Sequence, residues 1–416
     1  MNNRITLNNN ITRSKATGNG LISLPILSLI AISIICLAVG QDSALVYTIF
    51  IACSLAIGWL LNKINNKPRI CFVLLLALVV YLTAFIGLRD FGVGTDTLVY
   101  VDAYWDWGKY IHKINDFTGF DYADKGYLLL SVIGHLLSDD HQIMLILTAL
   151  VINLFTFLAV YIANYKQLKI NWVIYIFFWQ LMFMSVSMNA MRQTCAQAIA
   201  LCSLVLFSKN KKILGLLLIF IAYNFHSSLI ALIPLLGYYL LDKHFSHHNR
   251  NIYTGIGLAL LLVIVFGIFK YLQDFINLGL INGHFDAYTD NSTFNGENLF
   301  GVSYITMTII YLYLIYYLRK QNLITNSVSY MLAMIYITSF IFRIAAYSLV
   351  YLSRLADYNV YIVYFALAYL LTNYSKKIPL WIQIMIYVIV LYTWFMGPIL
   401  GGSNDTYPYH SVILGI

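Results

Sequence analysis

Four arginines, one histidine and one aspartate are the residues of this sequence best suited to chemistry. Arg89 opens "RDFGVGTDTLVY", Arg192 stands in "MRQTCAQAIA", Arg343 in "SFIFRIAAY" and Arg354 in "SRLADYNVYIV". A guanidinium group is a planar fork of donors that matches phosphate oxygens two at a time. Four such groups on one side of a membrane would bind a polyanion at headgroup depth, a lipid-linked phosphate or diphosphate. The plainer reading of each arginine is an interfacial snorkel or a partner for a structural aspartate, with Asp90 and Asp357 at hand. His226, in "NFHSSLIALIPL", is a structural hydrogen-bonding residue or a neutral base able to take a proton from a hydroxyl. Asp96 follows Thr95 and is either held locally or paired with an arginine.

The elements that must position these groups are apolar. Of 416 residues, 61% are hydrophobic and only 10% charged, where a soluble domain carries about 25% charge. Many runs are long enough to cross a bilayer, and a crossing helix satisfies its own backbone. The chain reads as an all-α polytopic membrane protein of about thirteen transmembrane helices. They are expected at 21–39, 44–61, 70–88, 141–164, 172–188, 193–207, 213–225, 227–241, 252–271, 301–318, 328–349, 355–373 and 379–396. The stretch 126–137 is apolar but short, and suits a re-entrant or interfacial helix. The run at 21–39 reads as a retained helix rather than a processed leader.

Charge fixes the expected orientation. With the N-terminus cytoplasmic, the inner pieces hold Arg4, Arg13, Lys15, Lys63, Lys67, Arg69, Lys166, Lys169, Lys209, Lys211, Lys212, Lys243, Arg250, Arg319, Lys320, Lys376 and Lys377, with one acid, Asp242. This is the positive-inside pattern. It leaves the four arginines, His226 and Asp96 on the outer side. The domain reading is a cytoplasmic tail 1–20, one helical domain 21–396 with extracytoplasmic loops 89–140 and 272–300, and an extracytoplasmic tail 397–416. The net charge of +8 lies in short scattered loops, so no nucleic-acid partner is expected. The five cysteines sit in apolar runs without metal or redox spacing. His244, His247 and His248 lack companions that would complete a metal site. Asp102 and Asp106 fall four apart, on one face if this loop is helical, either to hold a cation or as a solvated surface. Tyr100, Tyr104, Trp105, Trp107 and Tyr110 suit the bilayer interface or the flat faces of sugars.

Taken in order, these segments resemble the EpsG-like branch of the Wzy-type polysaccharide polymerases. "RDFGVGTDTLVY", "DKGYLLLSVIGHLL", "MRQTCAQAIA", "NFHSSLIALIPL", "SRLADYNVYIV" and "TYPYHSVI" follow the family's sequence of motifs from about residue 80 onward. Two departures stand out. Lys125 occupies the place where the short stretch often has an acid, and the histidine segment reads Ser-Ser-Leu where the family more often has a basic residue and Ser-Ala.

The resemblance implies a GT-C-like fold and a metal-independent glycosyltransferase without cofactor. Its site would face outward from the bacterial cytoplasmic membrane. There, a sugar hydroxyl on one undecaprenyl-diphosphate oligosaccharide attacks the anomeric carbon of another, and diphosphate lipid leaves. On this expectation His226, Asp96, Arg192 and Arg354 are catalytic. Arg89, Arg343, Thr95, Tyr100, Gln193 and Tyr358 bind substrate. The bilayer, lipid-linked oligosaccharides and, at a further remove, a chain-length regulator and a flippase are the expected partners. A flippase or transporter of the same lipids, a membrane O-acyltransferase using His226 and a glycan ligase are the rival readings. The first would need charges at mid-membrane, and few occur there.

Overall fold

The computed structural model describes residues 42–120, 123–165, 168–233, 302–324, 326–345 and 351–416, apart from isolated positions. The expected helices 21–39 and 252–271, the tail 1–20, the loop 272–300 and the three loop histidines lie outside the described residues. Within them the chain is helical, with no strand. The helices are α1 (Asp42–Lys63), α2 (Pro68–Gly87), α3 (Thr97–Gly108), α4 (Lys125–Leu137), α5 (Gln142–Tyr165), α6 (Trp172–Asn189), α7 (Met191–Ser208) and α8 (Lys212–Phe225). After a 3-10 turn at Ser227–Leu232 come α9 (Val302–Lys320), α10 (Asn326–Ala345), α11 (Tyr351–Tyr374) and α12 (Leu380–Trp394), which runs on into a π turn at Phe395–Leu400. Six spans in the described residues are long and apolar enough to cross a membrane: Leu45–Lys63, Pro68–Gly87, Gln142–Tyr165, Trp172–Asn189, Arg354–Tyr374 and Leu380–Leu400.

Helices α6 and α7 form the core and are buried on nearly every face. With no hydrophobic drive between helices in lipid, close approach and hydrogen bonds hold them. Ser203 Oγ donates to the Gly215 carbonyl at 2.7 Å where α7 meets α8. Gln180 Nε2 donates to Ser54 Oγ at 2.8 Å, and Trp179 Nε1 to the Tyr361 hydroxyl at 3.1 Å. Asn171 caps α6 by accepting the amides of Val173 and Ile174 at 2.9 and 3.3 Å. Cys71, Cys195 and Cys202 are buried free thiols in this packing.

At the other end of α6 the helix stops at Asn189 and α7 begins at Met191. Ala190 alone separates them, at φ −80° and ψ 55°. The break places Arg192 in the first turn of α7, at the same end of the bundle as the loop after α2. That loop is built around Arg89, which is 1% exposed. Its Nε donates to the Val93 carbonyl at 3.1 Å and its Nη2 to the Met188 carbonyl at 2.8 Å. Nη1 donates to the Ile86 carbonyl, and Nη2 also reaches Thr97 Oγ1 at 3.4 Å. Gly94, at φ +100°, lets the chain pass close to α6: a Cβ there would lie 2.6 Å from the Met188 carbonyl oxygen.

The expected C-terminal tail is part of the fold. Its chain closes over the same loop. The amides of Gly94 and Thr95 donate to the carbonyls of Asp405 and Asn404 at 2.8 and 3.1 Å. Tyr409 reaches the Phe85 carbonyl at 2.6 Å, and Ser411 Oγ the Leu88 carbonyl at 2.6 Å.

Removing the Arg89 side chain would strand several buried carbonyls at about 1–3 kcal/mol each. Arg89→Met is therefore expected to abolish recovery of a monodisperse protein in detergent, and Gly94→Ala to lower the thermal midpoint by several degrees. Wild-type melting in both variants, measured by tryptophan fluorescence, would contradict this account of the loop.

Candidate functional site

Arg192 is the centre of the cluster at this end of the bundle. Its Nη1 donates to Asp124 Oδ2 at 2.6 Å and to the Tyr104 hydroxyl at 2.7 Å. The guanidinium carbon lies 4.5 Å from the Tyr100 ring centre and 5.4 Å from that of Tyr104, within cation–π range. The side chain remains 20% exposed and that of Asp124 18%. Among the described residues the Arg192 Nε is buried and has no partner.

Asp124 sits just before α4, and its own amide donates to the Tyr104 hydroxyl at 3.1 Å. The short helix is thus pinned to α3. Its opening turn also meets the end of α8, where a Cβ on Gly126 would lie 2.9 Å from the Phe225 ring and 3.0 Å from the Asn224 carbonyl. Burial raises the Asp124 carboxyl, against the pull of Arg192, to about 6.

His226 follows directly on that contact, in the turn between α8 and the 3-10 segment. Its Nδ1 accepts the Ser228 amide at 3.3 Å, and Ser228 Oγ lies against the same nitrogen. Ser228 Oγ also hydrogen-bonds the Tyr358 hydroxyl at 3.3 Å. The ring is 6% exposed. Burial first, then the charges of Arg192 and Arg354, push its proton affinity down to about 3. The charges of arginines on α7 and α11 are thus both felt at this one imidazole. The two helices are tied at that level by Gln193, whose Nε2 donates to the Arg354 carbonyl at 2.7 Å.

The row continues along α11. Asp357, one turn beyond Arg354, pairs with Arg343 Nη2 at 3.5 Å, and the Arg343 guanidinium lies 4.3 Å from the Tyr304 ring centre. On the opposite flank, the Asp96 amide donates to Asn189 Oδ1 at 2.8 Å, and Asp96 Oδ2 accepts the Tyr100 hydroxyl at 3.2 Å. Thr95 Oγ1 donates to Asp405 Oδ2 at 3.1 Å.

The structure thus brings together Arg192, His226, Arg354, Gln193 and Tyr358, with Tyr100 and Asp96 beside them. Arg343 forms an adjoining cluster. Arg89 and Thr95 are placed differently from the other proposed site residues. Arg89 is enclosed by backbone carbonyls, and Thr95 is engaged with the C-terminal chain. Asp106 forms an exposed pair with Lys109 at 2.8 Å, as a solvated helix face would. Among the described residues no three His, Cys, Asp or Glu side chains gather as metal ligands do.

Asp124 and the hydroxyl of Tyr104 are the partners that sequence reasoning missed. The signal was close by: the acid sought at position 125 is one residue earlier. Lys125 itself turns back, its Nζ donating to the Phe117 carbonyl at 2.7 Å.

The fold and the site define a polytopic helical membrane protein with a basic cluster at one end of its bundle. The family description that matches the chain is the EpsG family, over residues 72–411. That match spans most of the sequence, and the chain belongs to the EpsG family. Comparisons with curated proteins and with solved structures return no match.

The Arg192–Asp124 pair is testable by a double-mutant cycle on detergent-solubilised protein. Asp124→Ala and Arg192→Ala are expected to be non-additive by about 1–3 kcal/mol at pH 7.5. Because burial raises this carboxyl, its charged form is the costly one, so wild type gains stability from Asp124 as pH falls from about 6 towards 4. The coupling to Arg192 fades over the same range. Additive effects at pH 7.5 would remove the pair as an energetic unit.

Proposed function

We propose that this protein is a polysaccharide polymerase that joins undecaprenyl-diphosphate-linked oligosaccharide repeat units on the outer face of the bacterial cytoplasmic membrane. The observation that carries the reading is that Arg192 and Arg354, each in the first turn of its own helix, lie at one level of the bundle, tied by the Gln193 hydrogen bond to the Arg354 carbonyl at 2.7 Å, while the turn holding the buried His226 is joined to the same stretch of α11 through Ser228 and Tyr358 at 3.3 Å. Family membership supports the same class of activity.

Helix direction supports the side. α7 and α11 both start at this cluster, and their far ends lead into Lys209, Lys211 and Lys212 and into Lys376 and Lys377. α2 starts beside Lys67 and Arg69 and ends at the cluster. With basic loops facing the cytosol, the site faces outward. In this reading the whole chain has thirteen spans, a cytoplasmic N-terminus and an extracytoplasmic C-terminus.

In the reaction, an acceptor hydroxyl oxygen bonds to the anomeric carbon of the donor as the bond from that carbon to diphosphate breaks. The electron pair leaves with the diphosphate. Arg192 and Arg354 stabilise that developing charge as preorganised donors, which needs no metal. Arg343 is a secondary contact to the same lipid. His226 or Asp96 activates or positions the acceptor. Tyr100 and Tyr358 line the path, and Gln193 fixes α7 against α11.

Purified protein in liposomes, given only lipid-linked repeat units and a chelator, should make longer glycans. Arg192→Ala is expected to lower the rate about 10²–10³-fold. Arg192→Lys should recover only part of it, because an ammonium lacks the fork and stacks poorly on Tyr100. Movement of units between leaflets without growth would instead identify a transporter. Acyl transfer without growth would identify an acyltransferase.

A further inference from the structure

We propose that His226 serves the transfer reaction as a fixed Nε2–H donor to the departing diphosphate, not as the base that takes the acceptor's proton. This rests on the polymerase reading above and assigns a role within its site.

The argument starts from Nδ1. It accepts the Ser228 amide at 3.3 Å, where the histidine caps the 3-10 turn at Ser227–Leu232. A backbone N–H only donates. A neutral imidazole has one nitrogen with a lone pair and one with a proton. Ser228 Oγ lies on the same nitrogen and, as a hydroxyl, can donate to it as well; with the lone pair of Nδ1 committed to the amide, the proton belongs on Nε2. Using Nε2 as a base would require the other tautomer, in which two N–H groups oppose each other inside a ring that is 6% exposed.

The surroundings agree. Burial holds the ring neutral, and the charges of Arg192 and Arg354 add to it. Ser228 ties the histidine turn to Tyr358, one turn beyond Arg354 on α11, and Gln193, next to Arg192, holds the Arg354 carbonyl, so the ring shares its level of the bundle with the two arginines that would grip a diphosphate. An Nε2–H beside them completes a set of donors around the same anion. It strengthens as charge moves onto the leaving oxygen, which is when a donor contributes to rate.

The proton of the acceptor hydroxyl then passes to a carboxylate as the glycosidic bond forms and the diphosphate leaves with its electron pair. Asp96 is placed for this. Its Oδ2 accepts the Tyr100 hydroxyl at 3.2 Å, and the Tyr100 ring lies against Arg192.

Selective 15N-histidine labelling of the protein in nanodiscs tests the tautomer directly, with His226→Gln assigning the signal. A neutral Nε2–H form, unchanged from pH 5 to 8, is expected. A ring that titrates in this range, or that carries its proton on Nδ1, overturns the proposal. Activity gives the second measure. Glutamine can place an N–H near the Nε2 position, so His226→Gln should keep polymerisation within about 10-fold of wild type, while His226→Ala falls about 10²-fold or more. Equal loss in both variants, with unchanged melting and gel-filtration behaviour, would restore the base role and end the proposal. If wild type forms no longer glycan at all, the reaction itself falls, and the proposal with it, whatever the tautomer.

Discussion

A guanidinium group brought to the rim of a bilayer must be surrounded by acceptors that the protein itself supplies, and this end of the molecule is arranged around that requirement. Arg89 draws together the carbonyls of Ile86, Val93 and Met188. These belong to the end of one helix, the loop after it and a helix about a hundred residues later. The charge thus acts as a knot that joins α2, its loop and α6. Unsatisfied carbonyls in so apolar a place would be costly, so the loop has little freedom to depart from this path.

The C-terminal chain completes what Arg89 begins. Asn404 accepts Asn189 Nδ2 at 3.2 Å and donates to Ser185 Oγ at 3.0 Å, gripping the last turns of α6. The same short segment accepts the amides of Gly94 and Thr95. Asn189 in turn receives the Asp96 amide. The loop after α2, the break at Ala190 and the chain's last turns therefore form one polar cap over the bundle. Arg192 projects from its edge because α7 starts immediately after that break.

Among the described residues, the bounds of most expected helices were legible in the sequence to within a few residues, since apolar length and basic flanks are local properties. α5, α6 and α8 begin and end almost where expected. α3 was not foreseen as a helix because it is short and its exposed face carries Asp102 and Asp106, while its buried aromatics Tyr104 and Trp105 pack on Tyr127 and His135 of α4. The expected helix 227–241 opens as a 3-10 turn because His226 caps it with its side chain. The candidate site was legible as a set of residue types, and its order was not. Nothing near Arg89 or Arg192 distinguishes the two. What separates them is whether distant carbonyls or a distant carboxylate reach the guanidinium. Asp124 stands 68 positions from Arg192, and only the docking of α4 on α8 brings them together.

That difference in partners has a physical consequence for what each arginine can do. Carbonyls belong to the backbone, and withdrawing them from Arg89 would take the loop and α6 apart. Arg192 is held instead by a side-chain carboxylate and two aromatic faces, and a fifth of its side chain is exposed. Burial disfavours the charge on Asp124, and its bond to Arg192 offsets part of that cost. Enclosure of one arginine by backbone carbonyls and pairing of the other with a side chain follow from the same rule about buried charge, applied to acceptors of different kinds.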